Sequence, residues 1–95
     1  MSAMAAAQKK KAVAYVDEAE KTLTKKSWFS SNKERNQEDA AELYMQAANA
    51  YKVGGLNQEA GDSYVTAGKL YAESLASPNE ASKCYSQAGK CHGMY

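Results

Sequence analysis

The chain has 95 residues, enough for one domain with a modest core. One Pro, abundant Ala and the lack of Asn-Gly or Asp-Gly hairpin signals argue against a β architecture and point to an all-α protein. The formal charge of +1 hides a split: residues 1–37 carry eight Lys/Arg against four acids (+4), and residues 38–95 carry four Lys against seven acids (−3).

At the start of the chain, MSAMAAAQ is too short and too weakly apolar for a signal-peptide core, and lysines follow it rather than precede it. No stretch approaches the ~18 apolar residues of a membrane span. The first predicted helix runs over about 5–25, with Ala12, Val13, Val16, Ala19 and Leu23 on its apolar side. Lys9, Lys10 and Lys11 read first as its solvated face and second as an anionic-surface patch. A long connection over about 26–36 follows. It contains KSWFSSNK, which holds the only Trp and the only Phe of the chain, Trp28 and Phe29.

The second helix is expected over about 37–53, with Asn36 as its cap, Asp39 at the third position and Gly54-Gly55 as its stop. The third is expected over about 58–75, capped by Asn57. Ser77-Pro78-Asn79-Glu80 then reads as a capping box with Pro at the first helical position, opening a fourth helix over 78–92. Apart from 26–36, every connection is about four residues or shorter, which makes successive helices antiparallel.

A repeat runs through these elements. AAELYMQAANAY (40–51), AGDSYVTAGKLY (60–71) and ASKCYSQAGKCH (81–92) superpose with Tyr at 44, 64 and 85. Ala40, Tyr44, Ala47, Ala48 and Tyr51 occupy one helical face. The set Ala60, Tyr64, Ala67, Gly68, Tyr71, Leu75 repeats it, as does Ala81, Tyr85, Ala88, Gly89, His92. A ring at one level and Ala or Gly at the next lets a neighbouring helix approach and receive the ring. The period is one helix plus a turn, so two units make a helical hairpin. Single helices of this length are marginal in water and require stacking.

Other chemistry finds little footing. Cys84 and Cys91 lie seven residues apart on one predicted helix, ~10.5 Å along its axis, too far for a disulfide and awkward for a shared metal. They read as small core residues, and His92 projects elsewhere, so no metal site or cofactor is expected. The tyrosines could form a base-stacking platform, but their spacing says core and their half of the chain is acidic, so no nucleic-acid partner is expected. There is no P-loop, dinucleotide loop or HExxH motif, and no Ser, His and acid set follows from spacing, so no enzyme activity is expected.

AEKTLTKKSWFSS, then EDAAELYMQAANAYKVGGLNQEAGDSYVTAGKLY, then EASKCYSQAG, resembles in colinear order the amino-terminal part of the soluble NSF attachment protein (alpha-SNAP) family. The resemblance extends from about Ala12 to His92. It implies a right-handed, twisted array of antiparallel helical hairpins similar to tetratricopeptide repeats. It also implies a non-catalytic adaptor that binds SNARE four-helix bundles and recruits a hexameric ATPase to unwind them. A loop between the first two helices dips into the membrane in that family, and Trp28 and Phe29 fall in that loop. Two departures stand out: residues 32–36 are polar where family loops often carry a second apolar cluster, and the family's later repeats and ATPase-engaging tail are absent. The expectation is an amino-terminal fragment or a much reduced relative without ATPase stimulation, cytoplasmic and peripheral on secretory-pathway membranes.

For Trp28 and Phe29 two readings stand side by side, a loop folded back over the helical stack and a shallow membrane contact. Burying both rings in lipid yields ~3–6 kcal/mol at best. Lys25, Lys26 and Lys33 add about 1 kcal/mol each near anionic lipid. After the cost of immobilisation that is weak binding, and several copies or a second tether are needed for stable attachment. Lys52 is the one candidate SNARE contact, because the family also places Lys there. Its plain alternative is a lysine complementing the helix dipole. Two further functions remain open: a generic tetratricopeptide-like interaction module without a membrane role, and self-association through an uncapped last helix.

Overall fold

The computed structural model describes residues 3–24 and 31–93. Four helices account for nearly all of them: α1 (Ala3–Thr24), α2 (Ser31–Val53), α3 (Asn57–Lys69) and α4 (Pro78–His92). A π-helical turn, Leu70–Ser74, continues α3. Among the described residues there is no strand, and the fold is all-α.

Each helix packs on its neighbours in sequence, and the partners show the directions. Ala19 of α1 shares a buried cluster with Ala40, Ala41 and Tyr44 of α2, whereas Ala12, earlier in α1, clusters with the later Ala47 and Ala50. The two helices are therefore antiparallel. In the same way Ala48 of α2 meets Ala60 and Tyr64 near the start of α3, and Ala40 and Ala41 share a cluster with Ala67 and Tyr71 near its end. The start of α3 faces the end of α4, where Ala88 and Cys91 lie, and the end of α3 faces Ala81 and Cys84. The result is a slab of helical hairpins, 44 × 25 × 12 Å.

The close approach predicted from the small residues is realised between α3 and α4. A Cβ built on Gly68 would stand 3.0 Å from the Tyr85 ring, and one built on Gly61 would overlap the imidazole of His92. Rings from α4 thus lie over side-chain gaps on α3, seven residues apart on both helices.

The structure corrects the expected boundaries in several places. α1 covers 3–24 rather than 5–25. α2 begins at Ser31, six residues before the expected start at 37, and Asn36 is a half-buried helix residue rather than a cap. Ser31 offers an earlier start, and Glu34 in the first turn complements the helix dipole, so the polar run 31–36 extends the helix. Residues 31–36 of the expected connection are therefore helical, and residues 25–30 lie outside the described residues. Asn57 is the first residue of α3, preceded by Leu56 at the cap without a side-chain bond. The third helix does not run regularly to 75, because it widens into the π turn at Leu70. Ser77 does cap α4, with Pro78 just inside, but its Oγ–H donates to the Leu75 carbonyl (3.3 Å) instead of closing the expected box.

Two faces are also redrawn. α1 buries only Ala12 and Ala19, leaving Val13 and Leu23 exposed. On α4 the buried stripe is Ala81, Cys84, Ala88 and Cys91, turned away from the expected set, with Tyr85 42% exposed. The outer side of α4 carries Ser82, Lys83, Ser86 and Lys90, and among the described residues Tyr85 is its exposed large apolar side chain.

Candidate functional site

Of the proposed membrane-contacting residues, Lys25, Lys26, Trp28 and Phe29 lie outside the described residues. Lys33 falls in the opening turns of α2, and its side chain lies outside them too. The described helix ends still fix where this segment is tethered. Thr24 and Ser31 stand at the end of the array that also holds the π turn and the start of α4.

Lys52 stands at the other end. It is exposed in the last turn of α2, and its carbonyl accepts from Gly55 N–H at 3.0 Å. About 21 residues of helix separate it from Ser31, which places the two candidate contacts ~30 Å apart along α2. One ligand surface that touches both must run along the array, not across its tip. Lys9, Lys10 and Lys11 are exposed on α1, near the Lys52 end.

The tyrosines and cysteines belong to the core. Tyr44, Tyr64 and Tyr71 are buried, and Cys84 and Cys91 are free and buried. Burial, and next the Glu80 carboxylate, pushes the Cys84 thiol up from its ordinary range, which keeps it protonated and poorly nucleophilic. Burial likewise raises the phenols: Tyr44 with help from Glu20, Tyr51 from Glu59 and Asp17, Tyr64 from Cys91 and Cys84. For Tyr71 burial is followed by Cys84, Glu42, Glu80 and Glu38. At the end of α4, His92 Nε2 lies 3.1 Å from the Asp62 carboxylate, a link between α4 and α3 that sequence reading missed.

The rings also floor two hollows. In the first, of about 320 Å³, α1 supplies Val16 and Glu20, α2 supplies Tyr44 and Tyr51, and α3 supplies Glu59 and Asp62. The second, of about 370 Å³, lies on the opposite side of the array. There Tyr71 is the floor, between Glu34, Glu38 and Glu42 of α2 and Glu80 of α4. The three α2 glutamates recur every fourth residue, a like-charge row that costs an isolated helix ~0.2–0.5 kcal/mol per pair. That row was visible in the sequence. An expected helix start at 37 left Glu34 in a loop and hid it. Among the described residues there is no helix long and apolar enough to cross a membrane, and no group of three or more His, Cys, Asp or Glu that could hold a metal ion.

Comparison with known proteins bears on the whole array. The profile of the family described as "Soluble NSF attachment protein, SNAP" matches residues 10–94. A curated relative, the "Probable vesicular-fusion protein sec17 homolog" of Neurospora crassa, is 41% identical over 78 residues, covering 79% of this chain and 27% of its own length. The chain thus spans about a quarter of that relative. No solved structure matches it. With all four helices inside or entering the matched span, the chain belongs to the soluble NSF attachment protein family.

Proposed function

We propose that the chain is a non-catalytic adaptor in the disassembly of SNARE complexes during vesicle fusion. The observation that carries this reading is the family match over residues 10–94, joined by a relative whose name places it in vesicular fusion. Its partners in this reading are the SNARE four-helix bundle, the hexameric disassembly ATPase and an anionic membrane surface. It works in the cytoplasm, peripherally on membranes of the secretory pathway.

Trp28 and Phe29 are the apolar membrane contact, with Lys25, Lys26 and Lys33 as the basic surround. What supports this is the composition of residues 25–30, KKSWFS, joining two helices whose facing stripes are already filled by Ala and Tyr. Burial of two rings gives weak attachment for one copy, which suits an adaptor acting in several copies. Lys52 contacts the SNARE bundle. Its exposure and its distance from the aromatic segment suit a bundle lying along the slab with its membrane end toward residues 25–30.

Flotation with vesicles containing anionic lipid tests the membrane contact. The native chain floats with the vesicles, and Trp28→Ser with Phe29→Ser abolishes flotation while leaving the helical circular dichroism unchanged. Undiminished flotation of the double variant would rule out the aromatic contact and leave a helical-repeat module without a membrane role.

A further inference from the structure

The hollow over Tyr71 has features that the adaptor reading does not use. Its walls carry four carboxylates, Glu34, Glu38 and Glu42 from α2 and Glu80 from α4, with Leu75 and Ser77 completing the rim. Only Glu80 has an ion-pair partner among the described residues, Lys83 at 3.6 Å on the exposed surface. The floor is a polar side chain: Tyr71 is 8% exposed and lines the hollow, its phenol lies in the field of Glu42, Glu80 and Glu38, and its hydroxyl makes no hydrogen bond among the described residues. Tyr71 stands in the π turn, a helix irregularity found often at functional sites.

The volume, about 370 Å³, lies within the ~300–1,000 Å³ of ligand pockets. The acids identify a cationic occupant, and their layout narrows its kind. The carboxylates are strung along α2 one turn apart, and among the described residues no three acids, His or Cys come together as a metal would need. Acceptors spread over two helices and a phenol suit a planar donor that bonds in several directions. A guanidinium offers five N–H donors in a fixed fork, whereas an ammonium is a compact, strongly hydrated point charge.

We propose that this hollow is a docking site for an arginine side chain carried by a segment of a partner protein. The guanidinium enters between Glu38, Glu42 and Glu80 and donates to the Tyr71 oxygen at the floor, with Glu34 adding to the field at the mouth. The site is independent of the membrane contact, and its test contains no lipid.

The test is a titration of the 95-residue chain with a hexa-arginine peptide, followed by amide NMR shifts. The shifts should cluster at residues 34–42, 71 and 75–80. Glu38→Gln with Glu42→Gln should weaken binding about tenfold, by loss of charge-assisted hydrogen bonds, and raise the melting temperature of the free chain by relieving the like-charge row. Asp17→Asn with Glu18→Gln removes the same charge from exposed sites on α1 and should leave affinity unchanged. Tyr71→Phe should weaken binding several-fold with the fold retained, and hexa-lysine should bind several-fold more weakly than hexa-arginine. Absence of binding, or equal losses in the two double variants, would overturn the proposal in favour of diffuse attraction. Equal affinity for hexa-lysine, or displacement by millimolar calcium chloride, would overturn the guanidinium assignment.

Discussion

Between α1 and α2 the contact is built largely of alanine. α1 spans 22 residues and fully buries only Ala12 and Ala19, which lie against Ala40, Ala41, Ala47 and Ala50, with buried Tyr44 and the partly buried Tyr15, Val16 and Tyr51 packed beside them. Between α3 and α4 the packing is heavier in the share of residues buried. α3 buries Ala60, Gly61, Ser63, Tyr64, Ala67 and Gly68 in 13 residues, and α4 answers with Ala81, Cys84, Ala88 and Cys91. The repeat occupies α2, α3 and α4 but not α1, and in the second hairpin glycines at Gly61 and Gly68 let the rings of His92 and Tyr85 approach the backbone. α1 lies along the whole of α2 but buries only two of its 22 residues, so it is expected to behave as an arm that opens before α2–α4.

The largest effect should come from the heavier hairpin. Tyr64→Ala removes the ring between Ala48, Ala60, Ala88 and Cys91 and should cost about 3–5 kcal/mol in chemical denaturation. In the lighter hairpin, Ala19→Leu forces extra atoms into a contact with no free space. It should cost about 1–3 kcal/mol, with hydrogen-exchange protection lost in α1 before α3. If Ala19→Leu instead melts the whole chain cooperatively, α1 is not a separate arm and the comparison fails.

Smaller changes sharpen the same contrast. The array has two described turn residues with left-handed backbone. Gly55, at φ 81, takes that conformation without a Cβ penalty, whereas Ala76, at φ 50, takes it with one. Ala76→Gly should stabilise the chain by about 1 kcal/mol, read from the denaturation midpoint. The smallest expected effect is alkaline. Burial and then Glu80 raise the Cys84 thiol, and burial raises Tyr44, Tyr51, Tyr64 and Tyr71, so the folded chain keeps protons that the unfolded chain has lost. Their contribution is complete below the unfolded values and disappears as pH rises through the folded ones. Melting temperature should therefore hold to about pH 8.5 and fall above it, more steeply above about pH 10, with Cys84→Ala flattening the first part.

Most of the fold was legible because small residues and rings at helical spacing leave few ways to stack. The four helices, their antiparallel order and the burial of Cys84 and Cys91 all followed from that pattern. What misled was local polarity. Asn36 looks like a cap, yet α2 begins at Ser31, because helix formers and tertiary contact outweigh one residue's preference. Tyr85 occupies the register of Tyr44 and Tyr64, but α4 lies at an edge and buries the smaller Cys84 instead. The π turn at Leu70–Ser74 has no mark in the residues that form it. The glutamate hollow was hidden for a different reason. It joins α2 to the start of α4 over a span that spacing within one helix does not reveal.

The adaptor reading rests most directly on one measurement, binding of the chain to an assembled SNARE four-helix bundle with and without vesicles containing anionic lipid. Linking two weak contacts on one target should make binding about tenfold tighter when the bundle is anchored in vesicles, and Trp28→Ser with Phe29→Ser should erase that gain while leaving lipid-free binding intact. No binding to the bundle, or equal affinity with and without membrane, would contradict the account.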